Sequence, residues 1–150
     1  MSNPFKFLQH LALILSFMVQ PVMAASEDWR SPESVEGTTT ISAAEAKKLY
    51  DLGAVFIDVR NPRLFAKGHI TGAHHLDLKK SFDESAVSAL AGKNDPVIIY
   101  CSGVKCSRSY RASAQAVSWG YSKVYYFRGG IVDWEKAGYP TTSSIETNSK

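Results

Sequence analysis

The sequence predicts an α/β domain in which a central parallel sheet carries helices on both faces. Residues 54–58 (AVFID), 96–100 (PVIIY) and 123–127 (KVYYF) are short apolar runs rich in β-branched and aromatic side chains. The runs are continuous rather than alternating, as in strands buried on both faces. Helical segments separate them, and strands alternating with helices pair in parallel under a helical cover.

Taken in order, Ser42 and Glu45 form a capping box that opens a helix running to about Leu52 and stopping at Gly53. The run ending in Asp58 follows as a strand. Asn61-Pro62 opens a second helix, with Asn as cap and Pro in the first turn. Asp83 or Ser81 caps a third, running to about Leu90. The strand ending at Tyr100 leads directly into Cys101. A fourth helix spans about Ser107 to Trp119 and stops at Gly120; Tyr110, Ala114 and Val117 fall at the helical spacing expected of its core side.

At 150 residues the chain holds one domain with a single core. Seventeen Lys and Arg stand against fourteen Asp and Glu, spread along the chain, so no nucleic-acid face is indicated. Lys6 is the sole charge before Glu27, residues 7–19 are almost wholly apolar, and residues 21–24 (PVMA) suit a signal peptidase. Residues 1–24 are therefore expected to be a signal peptide, since the run falls short of the ~20 residues of a comfortable span. After cleavage no membrane span is expected, and the protein is expected to be exported, most simply to a periplasm. Residues 25–38 read as a polar lead-in, 39–140 as the domain, and 141–150 as a flexible tail.

Both cysteines fall in the mature part, as a Cys101-x4-Cys106 pair carried into an oxidising compartment. A bridge closing so small a loop constrains the unfolded chain little. The pair therefore reads as chemical rather than structural, although a short structural disulfide is the alternative. Cys101 stands at the carboxyl end of a parallel strand, where open α/β sheets place their sites. The following helix directs its free amides and positive dipole end at the loop, which favours a thiolate. Gly103 lets the loop curl into an anion-binding concavity, and Lys105 and Arg108 add positive charge.

These residues resemble the rhodanese family over about residues 41–140. Residues 56–60 (FIDVR), Phe65 and residues 68–73 (GHITGA) match its first signature. Residues 97–101 (VIIYC) match its active-site strand. Residues 128–134 (RGGIVDW) with 137–140 (AGYP) match its closing signature. The resemblance implies a doubly wound, rhodanese-like domain with about five parallel strands. It also implies sulfur transfer through a persulfide on Cys101, with Ser102, Gly103, Val104, Lys105, Ser107 and Arg108 as the substrate-binding loop. Asp58 and Arg60 would be an ion pair in the scaffold beside the site. His69 would be a packing residue, and His74 and His75 would be solvated. Neither cofactor nor metal is expected, because adjacent His residues on an extended segment face opposite ways. The partners implied are a small sulfur donor and a thiol or cyanide-like acceptor, with a redox or sulfur-accepting protein as a further candidate.

The chain departs from the family at two places. Many single-domain members have Cys-x4-Arg-Ser, with the Arg binding an anionic donor such as thiosulfate; here Cys106 replaces that Arg. The usual acidic residue before Phe65 is absent, with Arg63-Leu64 in its place. Cys106 is thus a candidate resolving thiol that turns a Cys101 persulfide into a disulfide, or else an inert residue facing inward. Three alternatives stand beside the sulfurtransferase: thiol–disulfide exchange on the same fold, a non-catalytic binding module, and a phosphatase-like reaction. The last needs Cys-x5-Arg, and that spacing lands on Ser107.

Overall fold

The computed structural model describes residues 28–144. The expected signal peptide, the start of the lead-in and the end of the tail lie outside the described residues. The elements run β1 (Thr38–Thr40), α1 (Ala43–Asp51), β2 (Val55–Asp58), α2 (Pro62–Lys67), β3 (His69–Ile70) and β4 (His74–His75). Then follow α3 (Glu84–Ser88), β5 (Val97–Tyr100), α4 (Arg108–Ser118), β6 (Val124–Phe127), α5 (Gly130–Lys136) and β7 (Thr141–Thr142).

Five strands form one parallel sheet in the order β1-β6-β5-β2-β4. β5 is central, with Tyr100 level with Asp58 of β2 on one side and Phe127 of β6 on the other. The alternation of side chains then distributes the strands' residues between two cores. Ile57, Val59, Val97, Ile99 and Cys101 pack with Val87 of α3 and Ala112 and Ala116 of α4. Phe56, Ile98, Tyr100 and Phe127 pack on the opposite face with Ala46 of α1 and Ile131 and Trp134 of α5. Both faces of the sheet are covered, as continuous apolar strands require.

The helix starts are made by the residues that signal them. The Ser42 hydroxyl accepts the Glu45 amide (3.3 Å) while the Glu45 carboxylate accepts the Ser42 amide (2.8 Å). Asn61 accepts from Leu64 (2.9 Å) at α2, and Asp83 from Ala86 (2.8 Å) at α3. α4 differs, because Ser107 at its start makes no side-chain cap. Its first amides are left facing the loop that follows Cys101.

Several expectations are corrected. The buried side of α4 is Ser109, Ala112, Ser113 and Ala116; of the three residues expected there, Val117 is half-buried and packs on that core, whereas Ala114 is exposed and Tyr110 only half-buried. Short side chains on that side let the helix lie close against β5 and β6, and close approach outweighs apolar character there. The segment starting at Thr141 does not begin as a free tail: Thr141 and Thr142 pair antiparallel with Ile70 and His69. The lead-in is not wholly exposed either. Thr38 already belongs to β1, paired with Val124, and Ser31 is buried. No helix of the described residues is long and apolar enough to cross a membrane.

Candidate active site

Cys101 is the first residue beyond β5 and shares the face of Val97 and Ile99, so its side chain turns toward α4. It is 1% exposed. Its carbonyl accepts the Ile131 amide (3.0 Å), and the Ser102 carbonyl accepts that of Val132 (3.2 Å), which docks the first turn of α5 on the strand's end. Gly130 makes this docking feasible. It has φ +57°, and a Cβ placed there would fall on the Cys101 carbonyl oxygen. Gly130→Ala is expected to cost about 2–4 kcal/mol, from left-handed strain plus displacement of α5. Urea unfolding checks this; a loss under about 1 kcal/mol would mean that the contact is readily relieved.

The loop from Ser102 to Ser107 closes on itself through Cys106 N–H to Gly103 O (2.9 Å). Among the described residues the amides of Val104, Lys105 and Ser107 donate to no acceptor within the chain. Together with the uncapped start of α4 they form a concave set of donors suited to an anionic sulfur. Cys101 and Cys106 are joined as a disulfide with their Cα atoms 6.4 Å apart, a span a disulfide ordinarily bridges. A cavity of about 600 Å³ opens over the loop. Cys106, Val104, Val132, Gly129 and Asp133 line it, together with Ser102, Gly103, Lys105, Ser107 and Arg108.

The loop's two cations are engaged. Arg108 Nη1 lies 2.6 Å from Asp77 Oδ1 and 3.1 Å from the Val59 carbonyl, tying α4 to the residues just after β4 and β2. Lys105 Nζ lies 2.9 Å from Asp28 Oδ1, with both side chains more than half exposed. Arg108 thus ties α4 to the sheet through Nη1 while still lining the cavity over the loop. Burial raises the Asp77 carboxyl pKa, but the Lys79 amide and the Arg108 guanidinium more than offset this and hold it below the usual range. The pair therefore stabilises the fold above the ordinary carboxylate range and is lost as pH falls through the native value. Melting temperature is expected to drop on acidification below about pH 4. Asp77→Asn should melt lower at neutral pH, with a shallower acid fall; an unchanged acid profile would contradict this.

Asp58 and Arg60 form a buried ion pair. Arg60 Nε is 3.0 Å from each carboxylate oxygen, and Nη2 is 2.6 Å from Asp58 Oδ2 and 2.6 Å from the Gly68 carbonyl. Tyr100 lies beside the pair, its ring 6.0 Å from the Arg60 guanidinium carbon and its hydroxyl accepting the Ile70 amide (3.1 Å). Burial first, and then the Asp58 carboxylate, push the Tyr100 phenol pKa far up, so it stays neutral. Arg60 lines a second, smaller cavity of about 220 Å³ with Lys67, Gly68 and Glu135, and neither Asp58 nor Arg60 lines the cavity over Cys106. The pair knits the ends of β2, β5 and β3.

His69 is buried, stacks on Phe65 and bonds through Nδ1 to its carbonyl (2.9 Å). His75 is not solvated as expected. It is half-buried, stacks on Phe65 and bonds through Nε2 to the Arg60 carbonyl (2.9 Å). His74 is exposed. No group of three or more His, Cys, Asp or Glu among the described residues is arranged to hold a metal.

One part of the site has no signal in the sequence. The Ser31 amide donates to the Val104 carbonyl (2.7 Å), and the Ser31 carbonyl accepts both Nε (3.1 Å) and Nη2 (2.7 Å) of Arg128. The lead-in thus buttresses the outer side of the loop. The link is backbone-mediated on the Ser31 side, so residue identity there says nothing of it.

The family profile for the rhodanese-like domain matches residues 42–137. The chain belongs to the rhodanese-like family. It is 37% identical over 101 residues to the thiosulfate sulfurtransferase GlpE of Stutzerimonas stutzeri, covering 67% of this chain and 87% of the relative. It is 39% identical over 92 residues to the protein of the same name in Pseudomonas putida, covering 61% and 78%. Among solved structures, a rhodanese-like domain from an Anabaena species superposes with a TM-score of 0.61 at 24% identity, covering 77% of this chain and 85% of that one. The polysulfide-sulfur transferase of Wolinella succinogenes gives 0.59 at 20% identity, covering 76% and 84%. These two share the fold. The rhodanese-like chain is accordingly a sulfurtransferase, with its donor open.

Proposed function

We propose that this sulfurtransferase takes a sulfane sulfur onto Cys101 as a persulfide and that Cys106 resolves it. One observation carries the reading: Cys101 follows the central strand and opens a loop with three free amides, and Cys106 at the far end of that loop is near enough to be its disulfide partner. The amides stabilise negative charge on the outer sulfur without a metal. In the resolving step the Cys106 thiolate attacks the inner sulfur of the Cys101 persulfide. The Cys101–Cys106 bond forms, the sulfur–sulfur bond of the persulfide breaks, and the outer sulfur departs as hydrosulfide.

The charge pattern bears on the donor. With Lys105 held by Asp28 and Arg108 by Asp77, the cavity offers amides and apolar walls rather than an unpaired cation. A thiosulfate dianion gains less there than at a loop bearing an arginine, so a donor of lower charge, such as a thiol persulfide, suits this site better. The apolar character of residues 7–19 supports export, which would bring the pair into an oxidising compartment. Thiol–disulfide exchange is a second reading, favoured by the Cys101–Cys106 disulfide itself.

The two readings separate on sulfide. Reduced wild type given one equivalent of polysulfide is expected to lose two hydrogens in mass and release one hydrosulfide per disulfide formed. Cys106→Ser should hold its sulfur and release none until an acceptor thiol is added. Equal sulfide release from Cys106→Ser would remove Cys106 from the mechanism.

A further inference from the structure

We infer that the thiol which reopens the Cys101–Cys106 disulfide enters at Cys106, so the first mixed disulfide forms there and Cys101 leaves as the thiolate. This deepens the proposed reading and rests on its disulfide-forming step. The two sulfurs of the bridge are not equivalent. Cys101 is 1% exposed, packed among Val97, Ile99 and Ala112, and it does not line the cavity over the loop. Cys106 is partly exposed and does line it. A nucleophile arriving from solvent through that cavity therefore meets Cys106, and access decides which sulfur of a disulfide is attacked.

The leaving group points the same way. Exchange is faster when the departing thiolate is stabilised. Cys101 opens the loop whose Val104, Lys105 and Ser107 amides are unengaged, and free amides nearby favour a thiolate. The cavity, at about 600 Å³, lies within the usual size of a small-ligand site, roughly 300–1,000 Å³. It suits a low-molecular-weight thiol or a single cysteine presented by a peptide. In the first step the thiolate bonds to Cys106 Sγ, the Cys101–Cys106 bond breaks, and Cys101 takes the electron pair. In the second, another thiolate attacks the incoming thiol's own sulfur and Cys106 is released. Two thiols are oxidised to one disulfide as the protein disulfide is reduced. Cys101 emerges first, ready for the next donor.

The test uses oxidised wild-type protein, its disulfide made with a mild oxidant and verified by mass, so no persulfide step is needed. Glutathione is added, the reaction is quenched within seconds by acid and an alkylating reagent, and the protein is cut after Lys105 to separate the two cysteines. Glutathione is expected on Cys106 and the alkyl group on Cys101, in a ratio above ten to one. The reverse pattern or an even split would overturn the inference. A second arm reads the same point without trapping. Val132, 56% exposed, lines the cavity, and Val132→Trp is expected to slow reduction by glutathione at least fivefold. An unchanged rate would mean that the thiol does not arrive by this route. Failure of the oxidised protein to form the disulfide at all would instead defeat the resolving step proposed above.

Discussion

Cys101→Ser is expected to lower sulfur transfer at least ~1,000-fold, the scale of losing a nucleophile on which the rest of the site acts. The amides of Val104, Lys105 and Ser107 and the start of α4 have no partner among the described residues and are free to hold an anion, but none of them can itself accept a sulfur atom. A serine hydroxyl is hardly ionised near neutral pH and forms no persulfide. The substitution keeps the side chain's size but buries a hydroxyl in an apolar cluster, so a modest loss of stability, about 1–2 kcal/mol, should accompany it. Thiocyanate formation from polysulfide and cyanide measures the rate, and a urea melt shows that the variant is folded. Residual transfer above a tenth of wild type would place the chemistry on another residue.

Asp58→Ala is expected to destabilise the fold by about 3–5 kcal/mol, because it leaves the Arg60 guanidinium buried without its counter-charge. Arg60 is 4% exposed and Asp58 0%, so water cannot readily replace the lost carboxylate. Asp58→Ala combined with Arg60→Met should recover part of the loss, since removing both charges avoids an unpaired one. Chemical unfolding of both variants checks the pair. A single-variant cost below about 1 kcal/mol would show that the guanidinium relaxes to solvent.

Much of the architecture could be read from the sequence, because its strands and helix starts are encoded locally. Continuous apolar runs marked β2, β5 and β6, and Ser42, Asn61 and Asp83 cap the helices they open. β1 is three threonines at an edge, paired with β6 through the backbone, and its side chains carry no apolar pattern. The two-residue strands β3 and β7 are too short to show a period. In α4 the buried side is set by how closely the helix sits on the sheet, and Ser109 and Ser113 there read as polar in one dimension.

At the site, Cys101, the loop and the Asp58–Arg60 pair were visible as motifs. Their partners were not. Asp77 lies 31 residues from Arg108 in sequence, and Ser31 lies 97 from Arg128. Pairings at such separations are made by the fold, so local pattern could not show that Arg108 also ties α4 to Asp77. Gly130 sits in a Gly-Gly pair, a signal for positive φ, but only the neighbouring Cys101 carbonyl explains why a side chain is excluded there.

The central claim is that Cys101 carries sulfur. Intact-mass measurement of Cys106→Ser after a polysulfide donor tests it most directly, since no resolving thiol is present to discharge the adduct. A gain of one sulfur atom is expected, located on Cys101 and removed by cyanide, with no gain in Cys101→Ser under the same conditions. The absence of an adduct on Cys106→Ser, or an equal one on Cys101→Ser, would contradict it.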